Sequence, residues 1–167
     1  RPENIGIYGC SAGGILSGMA TPWIHKAGLP TPGALGIFGG AASVASYDSS
    51  NFGIALSNLP TMSPAEAREE LEDPIWPYWR GTKPLKDPMI SPVLSAELLK
   101  RFPPSLLISA SRDFNLGPVL HTHSELVKQG VEADLHVWDG LEHCFTKNPN
   151  IPESRDAYNV IVNFFDK

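Results

Sequence analysis

The sequence predicts an α/β domain in which a parallel sheet is flanked by helices. Three observations lead there. Short apolar runs alternate along the chain with segments of helical periodicity, the order that builds strand–helix–strand units. A glycine-rich turn, Gly9-Cys10-Ser11-Ala12-Gly13-Gly14, joins the first run to the first helical segment. The chain has 167 residues, of which 42% are hydrophobic and 19% charged, enough for one self-stabilising core and too apolar for a disordered tail.

The elements follow in order. Asn4-Ile5-Gly6-Ile7-Tyr8 is an apolar run ending at Gly9, as expected for a strand buried on both faces. From Ala12 the apolar residues Ile15, Leu16, Met19, Trp23 and Ile24 recur at helical spacing. Pro22 falls inside that pattern and predicts a kinked or divided helix, which Gly28 and Pro30 end. Ala34–Phe38 is the second strand, closed by Gly39-Gly40. Residues 41–92 break the rhythm with Ser/Asn runs and prolines, and hold a capped helix that starts at Ser63-Pro64-Ala65-Glu66. Ser105–Ser109 is the third strand, and Leu116, Val119, Leu120, Leu126 and Val127 mark a helix stopped by Gly130. Leu135 and Val137, alternating with His136 and Trp138, give a fourth strand, and Pro152 opens a last helix through Phe165. The whole, residues 1–167, reads as a single domain with a cap-like or pocket-lining insertion around 48–90.

Composition narrows the function classes. A net charge of −5 without a Lys/Arg cluster argues against nucleic acid as a partner. No apolar stretch approaches the ~20 residues of a membrane helix. Two cysteines are too few for a disulfide framework or a zinc cluster, and no metal site is expected.

The turn at Gly9–Gly14 carries the chemistry. It contains G-x-S-x-G between a strand and a helix, the setting of a nucleophile elbow. Such a turn is so tight that the residues two positions either side of Ser11 must lack bulk, a demand that Gly9 and Gly13 meet. Gly14 permits close helix–strand packing. The helix start favours negative charge, and the Ala12 N–H is placed to donate to an oxyanion. A serine is a poor nucleophile without a base and an orienting acid. His143, in the loop after the fourth strand, and Asp113, just beyond the third, supply them in the chain order Ser, Asp, His. Both lie beyond the carboxyl ends of parallel strands, where sites of open α/β sheets collect. Asp139 and Glu142 are alternatives for the acid. His25, His121, His123 and His136 read as packing or surface residues, and Arg112 as a surface charge beside Asp113.

Cys10 and Cys144 flank Ser11 and His143. They read as free cysteines behaving as small buried hydrophobes, since a disulfide needs Cα atoms within ~7 Å and sequence spacing does not establish that. Trp76, Tyr78 and Trp79, with Phe52 and Met62, either wall a substrate pocket or form a satellite core beneath a long loop.

These motifs resemble the hormone-sensitive-lipase-like branch of the α/β-hydrolases, a family of carboxylesterases. The matching stretches are Tyr8–Gly14, Asp87-Pro-Met-Ile-Ser-Pro92, Leu106–Asp113, Gly130–Val137 and Gly140-Leu-Glu-His143. The resemblance implies a partial α/β-hydrolase fold, Ser11, Asp113 and His143 as a triad, and hydrolysis of short acyl esters with no cofactor. Two departures stand out. Cys10 replaces the family's usual Asp, and the strands and His-Gly-Gly-Gly-type loop that precede the nucleophile in the family do not precede it here, while Gly39-Gly40 comes too late in the chain to be that loop. The chain is thus expected to be the C-terminal portion of a hydrolase, with weak turnover for want of further oxyanion donors. Its first strand is expected to associate with a second copy or with the missing N-terminal portion, because Ile5 and Ile7 would otherwise be bared at a sheet edge. A truncated hydrolase acting only as an assembly or binding module is the alternative, and a peptidase or lactonase a third reading. The cytoplasm is the default compartment.

Overall fold

A computed structural model describes residues 1–43 and 86–167. The elements are β1 (Gly6–Cys10), α1 (Ala12–Lys26), β2 (Ala34–Phe38), α2 (Ala96–Leu99), β3 (Ser105–Ala110), α3 (Leu116–Lys128), β4 (Ala133–Trp138) and α4 (Pro152–Phe165). Ser63, Phe52, Met62, Trp76, Tyr78 and Trp79 lie outside the described residues. The short α2 was not expected. It is a single turn capped by Ser95, whose Oγ accepts from the Leu98 N–H at 3.4 Å, and is too brief to leave a periodic signal.

The four strands run parallel in the order β1-β2-β3-β4. Register brings Cys10 beside Phe38, Phe38 beside Ile108 and Ala110 beside Trp138, so the carboxyl ends of all four strands share one rim of the sheet. β3 is buried throughout, and its side chains divide between two cores. Leu107 packs with Leu35, Ile37, Val119 and Leu126, while Leu106, Ile108 and Ala110 pack with Phe145, Ala157 and Phe164. Each such Leu or Ile contributes about 1.5–3 kcal/mol relative to its exposed state, so β3 anchors whatever its carboxyl end carries.

The helix after β1 is not divided at Pro22. α1 runs unbroken from Ala12 to Lys26, and Pro22 is buried, so packing of the ring offsets the hydrogen bond it cannot donate. α1 closes as expected at Gly28, φ 70°, where the Leu29 N–H reaches the Ile24 carbonyl and the Gly28 N–H reaches His25. Gly18 allows the helix to approach Ala42, whose Cα would stand 3.0 Å from a side chain at that position.

Among the described residues, β1 lies at one edge of the sheet. Ile5 is 54% and Tyr8 65% exposed, although the Tyr8 ring lies 5.9 Å from that of Phe38 and 5.7 Å from that of Phe165. Among the described residues, no helix is long and apolar enough to cross a membrane.

Candidate active site

Ser11 stands between β1 and α1 with φ 59° and ψ −123°, a conformation rare for a residue with a side chain. The turn is fixed by the Ser11 N–H donating to the Phe38 carbonyl at 2.8 Å and by the Ile15 N–H donating to the Ser11 carbonyl at 3.1 Å. The steric demand falls unequally on the glycines. A Cβ on Gly9 would collide with the Gly13 backbone, and one on Gly14 would come within 3.1 Å of the Gly9 and Phe38 carbonyls. A Cβ on Gly13 itself would meet nothing within 4 Å. The crowding thus runs one way: the Gly13 backbone denies a side chain to Gly9, while a side chain at Gly13 would have room. Ala12 is the first residue of α1, and its N–H is among those a helix start leaves without an intrahelical acceptor.

The shared rim brings Ser11, His143 and Asp113 into one hydrogen-bonded chain. His143 Nε2 is 2.8 Å from Ser11 Oγ, and His143 Nδ1 is 2.8 Å from Asp113 Oδ1. A carboxylate only accepts, so Nδ1 carries the ring proton and Nε2 offers its lone pair to the serine hydroxyl. Asp113 is buried, 1% exposed, while His143 is 21% exposed at its side chain. The Asn115 N–H donates to Asp113 Oδ1 at 2.8 Å and the Ser109 hydroxyl donates to Oδ2 at 3.2 Å. The alternatives for the acid are placed elsewhere: Asp139 accepts from the Ser111 hydroxyl at 2.7 Å, and Glu142 is exposed. Arg112 is exposed as expected. His123 bonds the Ala133 carbonyl and His136 lies against Trp138.

Cys10 and Cys144 are not free. They form a disulfide with Cα atoms 6.5 Å apart, which corrects the reading of two buried thiols. The physical reason is the geometry of the rim: β1 ends next to the loop after β4, because His143 must reach back across the sheet to Ser11. Spacing along 134 residues of chain could not reveal that approach.

Several supporting residues also escaped sequence reasoning. Gly39, φ 54°, passes so close to the site that a Cβ there would stand 3.1 Å from Asp113 Oδ2 and 3.3 Å from the His143 ring. Gly40 is crowded in the same way by the Ser11 carbonyl at 2.8 Å. The pair is thus part of the site, though not in the role of the upstream loop. Asn115 spans from Asp113 to the Gly39 carbonyl, to which its Nδ2 donates at 2.9 Å. Phe114 covers the His143 ring, the two centroids 4.3 Å apart. The doubled glycine after a strand was the one available signal; Asn115 and Phe114 leave none without tertiary contacts.

Among the described residues, no cluster of three or more His, Cys, Asp or Glu is placed to hold a metal ion. A cavity of about 410 Å³, lined by residues such as Glu3, Gly33, Pro104 and Glu132, lies at the amino ends of the strands, opposite Ser11.

Comparison with known proteins agrees with this architecture. A family model described as alpha/beta hydrolase fold matches residues 1–147. Among solved structures, an esterase E25 is 28% identical, with a TM-score of 0.75 over 99% of this chain and 49% of its own. An esterase from the bacterial hormone-sensitive lipase family is 25% identical, with a TM-score of 0.79 over 99% of this chain and 53% of its own. An esterase/lipase from an uncultured bacterium shares the fold at 23% identity, with a TM-score of 0.80 over 99% and 53%. No curated protein matches. The chain belongs to the esterase/lipase-like α/β-hydrolase family, as a partial form of that fold, and spans about half the length of these solved structures.

Proposed function

We propose that the protein is a serine carboxylesterase that hydrolyses short-chain acyl esters through an acyl-enzyme on Ser11. The observation that carries this reading is the unbroken chain from Ser11 Oγ through both nitrogens of His143 to the buried carboxylate of Asp113. His143 Nε2 takes the hydroxyl proton as Ser11 Oγ attacks the ester carbonyl. The Ala12 N–H, at the start of α1, donates to the resulting oxyanion. The C–O bond to the alcohol breaks, and His143 returns the proton to the departing alcohol. Water then enters, gives a proton to His143 and attacks the acyl carbon; the acid leaves as Ser11 recovers its proton. Asp113 holds Nδ1–H throughout and stabilises the imidazolium. No step calls for a metal or cofactor. A fluorophosphonate probe tests the assignment: labelling is expected on the wild type and lost in Ser11→Ala, and a label that persists in the variant contradicts it.

The β1 edge, which has no neighbouring strand among the described residues, supports a second element of the reading, that a further strand pairs there, supplied by another copy of the chain or by an N-terminal portion of the protein. Ile5 and Tyr8 present apolar surface at this edge, 54% and 65% exposed. Concentration-dependent association is expected in sedimentation velocity, and a monomer at all concentrations with protected β1 amides overturns this element. An assembly module without turnover is the rival that the same edge favours; a folded associating protein inert to acetyl and butyryl esters would establish it.

A further inference from the structure

We propose that the Cys10–Cys144 disulfide is a positioning element of this site, holding the backbone of His143 against the strand that carries Ser11, so that its reduction lowers turnover. The inference rests on the reading of Ser11 as an acyl-transfer nucleophile.

Placement comes first. Cys10 is the last residue of β1 and precedes Ser11; Cys144 follows His143. The covalent bond therefore joins the immediate neighbours of the two groups that must exchange a proton, across 134 residues of chain. Backbone conformation gives the second observation. Among the described residues, the non-glycine positions with positive φ are Ser11 at 59° and Cys144 at 56°. Such conformations are unfavourable for residues with a side chain and persist where the surroundings over-determine them. At Cys144 the disulfide is one constraint, beside a turn in which the Phe145 N–H donates to the Glu142 carbonyl at 3.2 Å and the Lys147 N–H to the Cys144 carbonyl at 3.0 Å. Were φ to return to the ordinary negative range, the chain would swing at the residue next to His143.

The remaining anchors of the loop point elsewhere. The Ser111 hydroxyl holds Asp139, the Arg112 N–H holds the Leu141 carbonyl at 3.0 Å, and the Ser154 hydroxyl holds the Phe145 carbonyl at 2.9 Å. All three tie the loop to the β3 end or to α4. Among the described residues, the bonds from this loop to β1 and Ser11 are the disulfide and the Ser11–His143 hydrogen bond. With the disulfide open, the 2.8 Å hydrogen bond to Ser11 is the bond left between this loop and the Ser11 turn among the described residues, while Asp113 still holds Nδ1 of His143 from the β3 side.

The redox step is a thiol–disulfide exchange with a dithiol reductant. Two electrons and two protons pass to the protein, the Cys10–Cys144 bond becomes two thiols, and the reductant becomes its own disulfide.

The experiment compares the oxidised protein with the same protein treated with dithiothreitol, and with a Cys10→Ala/Cys144→Ala double variant. Hydrolysis of p-nitrophenyl acetate is read as kcat and KM, and hydrogen exchange is followed over residues 140–146. The expected result on reduction is a fall in kcat of about tenfold or more with KM changed less than about twofold, since misplacement of a base by ~1 Å can cost ~10² in rate. Exchange of 140–146 rises while that of β3 holds, reoxidation restores the rate, and the double variant no longer responds to dithiothreitol. Equal kcat and equal loop exchange in both redox states overturn the proposal. So does a loss shared by β3, which marks a purely structural bond. If the double variant does not fold, reduction of the wild type decides alone. If the oxidised protein hydrolyses no ester, the reading of Ser11 fails, while loop exchange, with the resonance of the His143 Nδ1 proton, still decides whether the disulfide holds the loop.

Discussion

Gly39→Ala tests how tightly the site is built, because this residue touches the acid and the base without taking part in the chemistry. Two costs can be separated. The backbone at Gly39 has φ 54°, and placing alanine in that region costs roughly 1–2 kcal/mol. At about 2–4 °C per kcal/mol for a chain of this size, the melting temperature should fall by roughly 2–8 °C. The second cost is local. The new Cβ would stand 3.1 Å from Asp113 Oδ2 and 3.3 Å from His143 Nδ1, tighter than ordinary van der Waals contact. Asp113 is held by the Asn115 N–H and the Ser109 hydroxyl, so the strain is shared with the imidazole. A shift of a few tenths of an ångström at His143 predicts a kcat lower by about 3- to 10-fold with little change in KM, scaled from the ~10² that ~1 Å can cost. Gly130→Ala supplies the control, since its φ of 78° carries a similar backbone cost while a Cβ there meets nothing within 4 Å. Thermal melts and ester kinetics on both variants should show similar losses of stability and a loss of turnover at Gly39 alone. Equal turnover in the two would refute the reasoning that the Gly39 turn seats the Asp113–His143 pair.

Asp113→Asn replaces an acceptor with an amide that can donate to Nδ1 and so select the wrong tautomer; kcat should drop on the order of 10⁴-fold, and steady-state kinetics showing less than about a tenfold loss would contradict the role given to the carboxylate. Ser111→Ala removes the hydroxyl that donates to Asp139 and accepts from the Gly140 N–H, both at 2.7 Å. It should raise hydrogen exchange over residues 139–143 and reduce kcat more than it shifts the melting temperature, whereas unchanged exchange would remove Ser111 from the loop's anchors. His25 gives a pH prediction. Its pKa is lowered from 6.5 by burial and, second, by the Arg101 charge, and its Nδ1 is buried without a partner among the described residues. The unfolded chain therefore binds more protons at this residue, and the stability it contributes is fully present above pH 6.5 and lost as pH falls below that value. The melting temperature of the wild type should fall further between about pH 7.5 and about pH 5.5 than that of His25→Gln, and parallel falls would contradict the assignment.

Much of this fold is written locally. Apolar runs located the strands, but the burial on both faces that such runs imply holds for β2 and β3, while β1 and β4 are partly exposed at the ends of the sheet. Gly28 and Gly130 located helix ends, because a left-handed closing residue is steric in origin. The GCSAGG turn placed Ser11 for the same reason, with the constraint falling on Gly9 and Gly14 and not on Gly13. Asp113 and His143 were legible through their positions after strands, once those strands were seen to share a rim. Contacts across that rim were not legible. The disulfide, the Gly39 approach, the Asn115 bridge and the Phe114 ring over His143 arise where segments distant in sequence meet, and a residue list carries no distances. Pro22 shows the reverse case, a strong local signal overridden by burial.

The most direct test of the central claim is to catch the acyl group on the protein. Intact mass spectrometry of the enzyme, quenched in acid during turnover of p-nitrophenyl acetate, should show one added acetyl group, mapped by peptide analysis to the segment holding Ser11 and absent in Ser11→Ala. An acetyl group mapped to another residue, or hydrolysis undiminished in Ser11→Ala, would contradict the account.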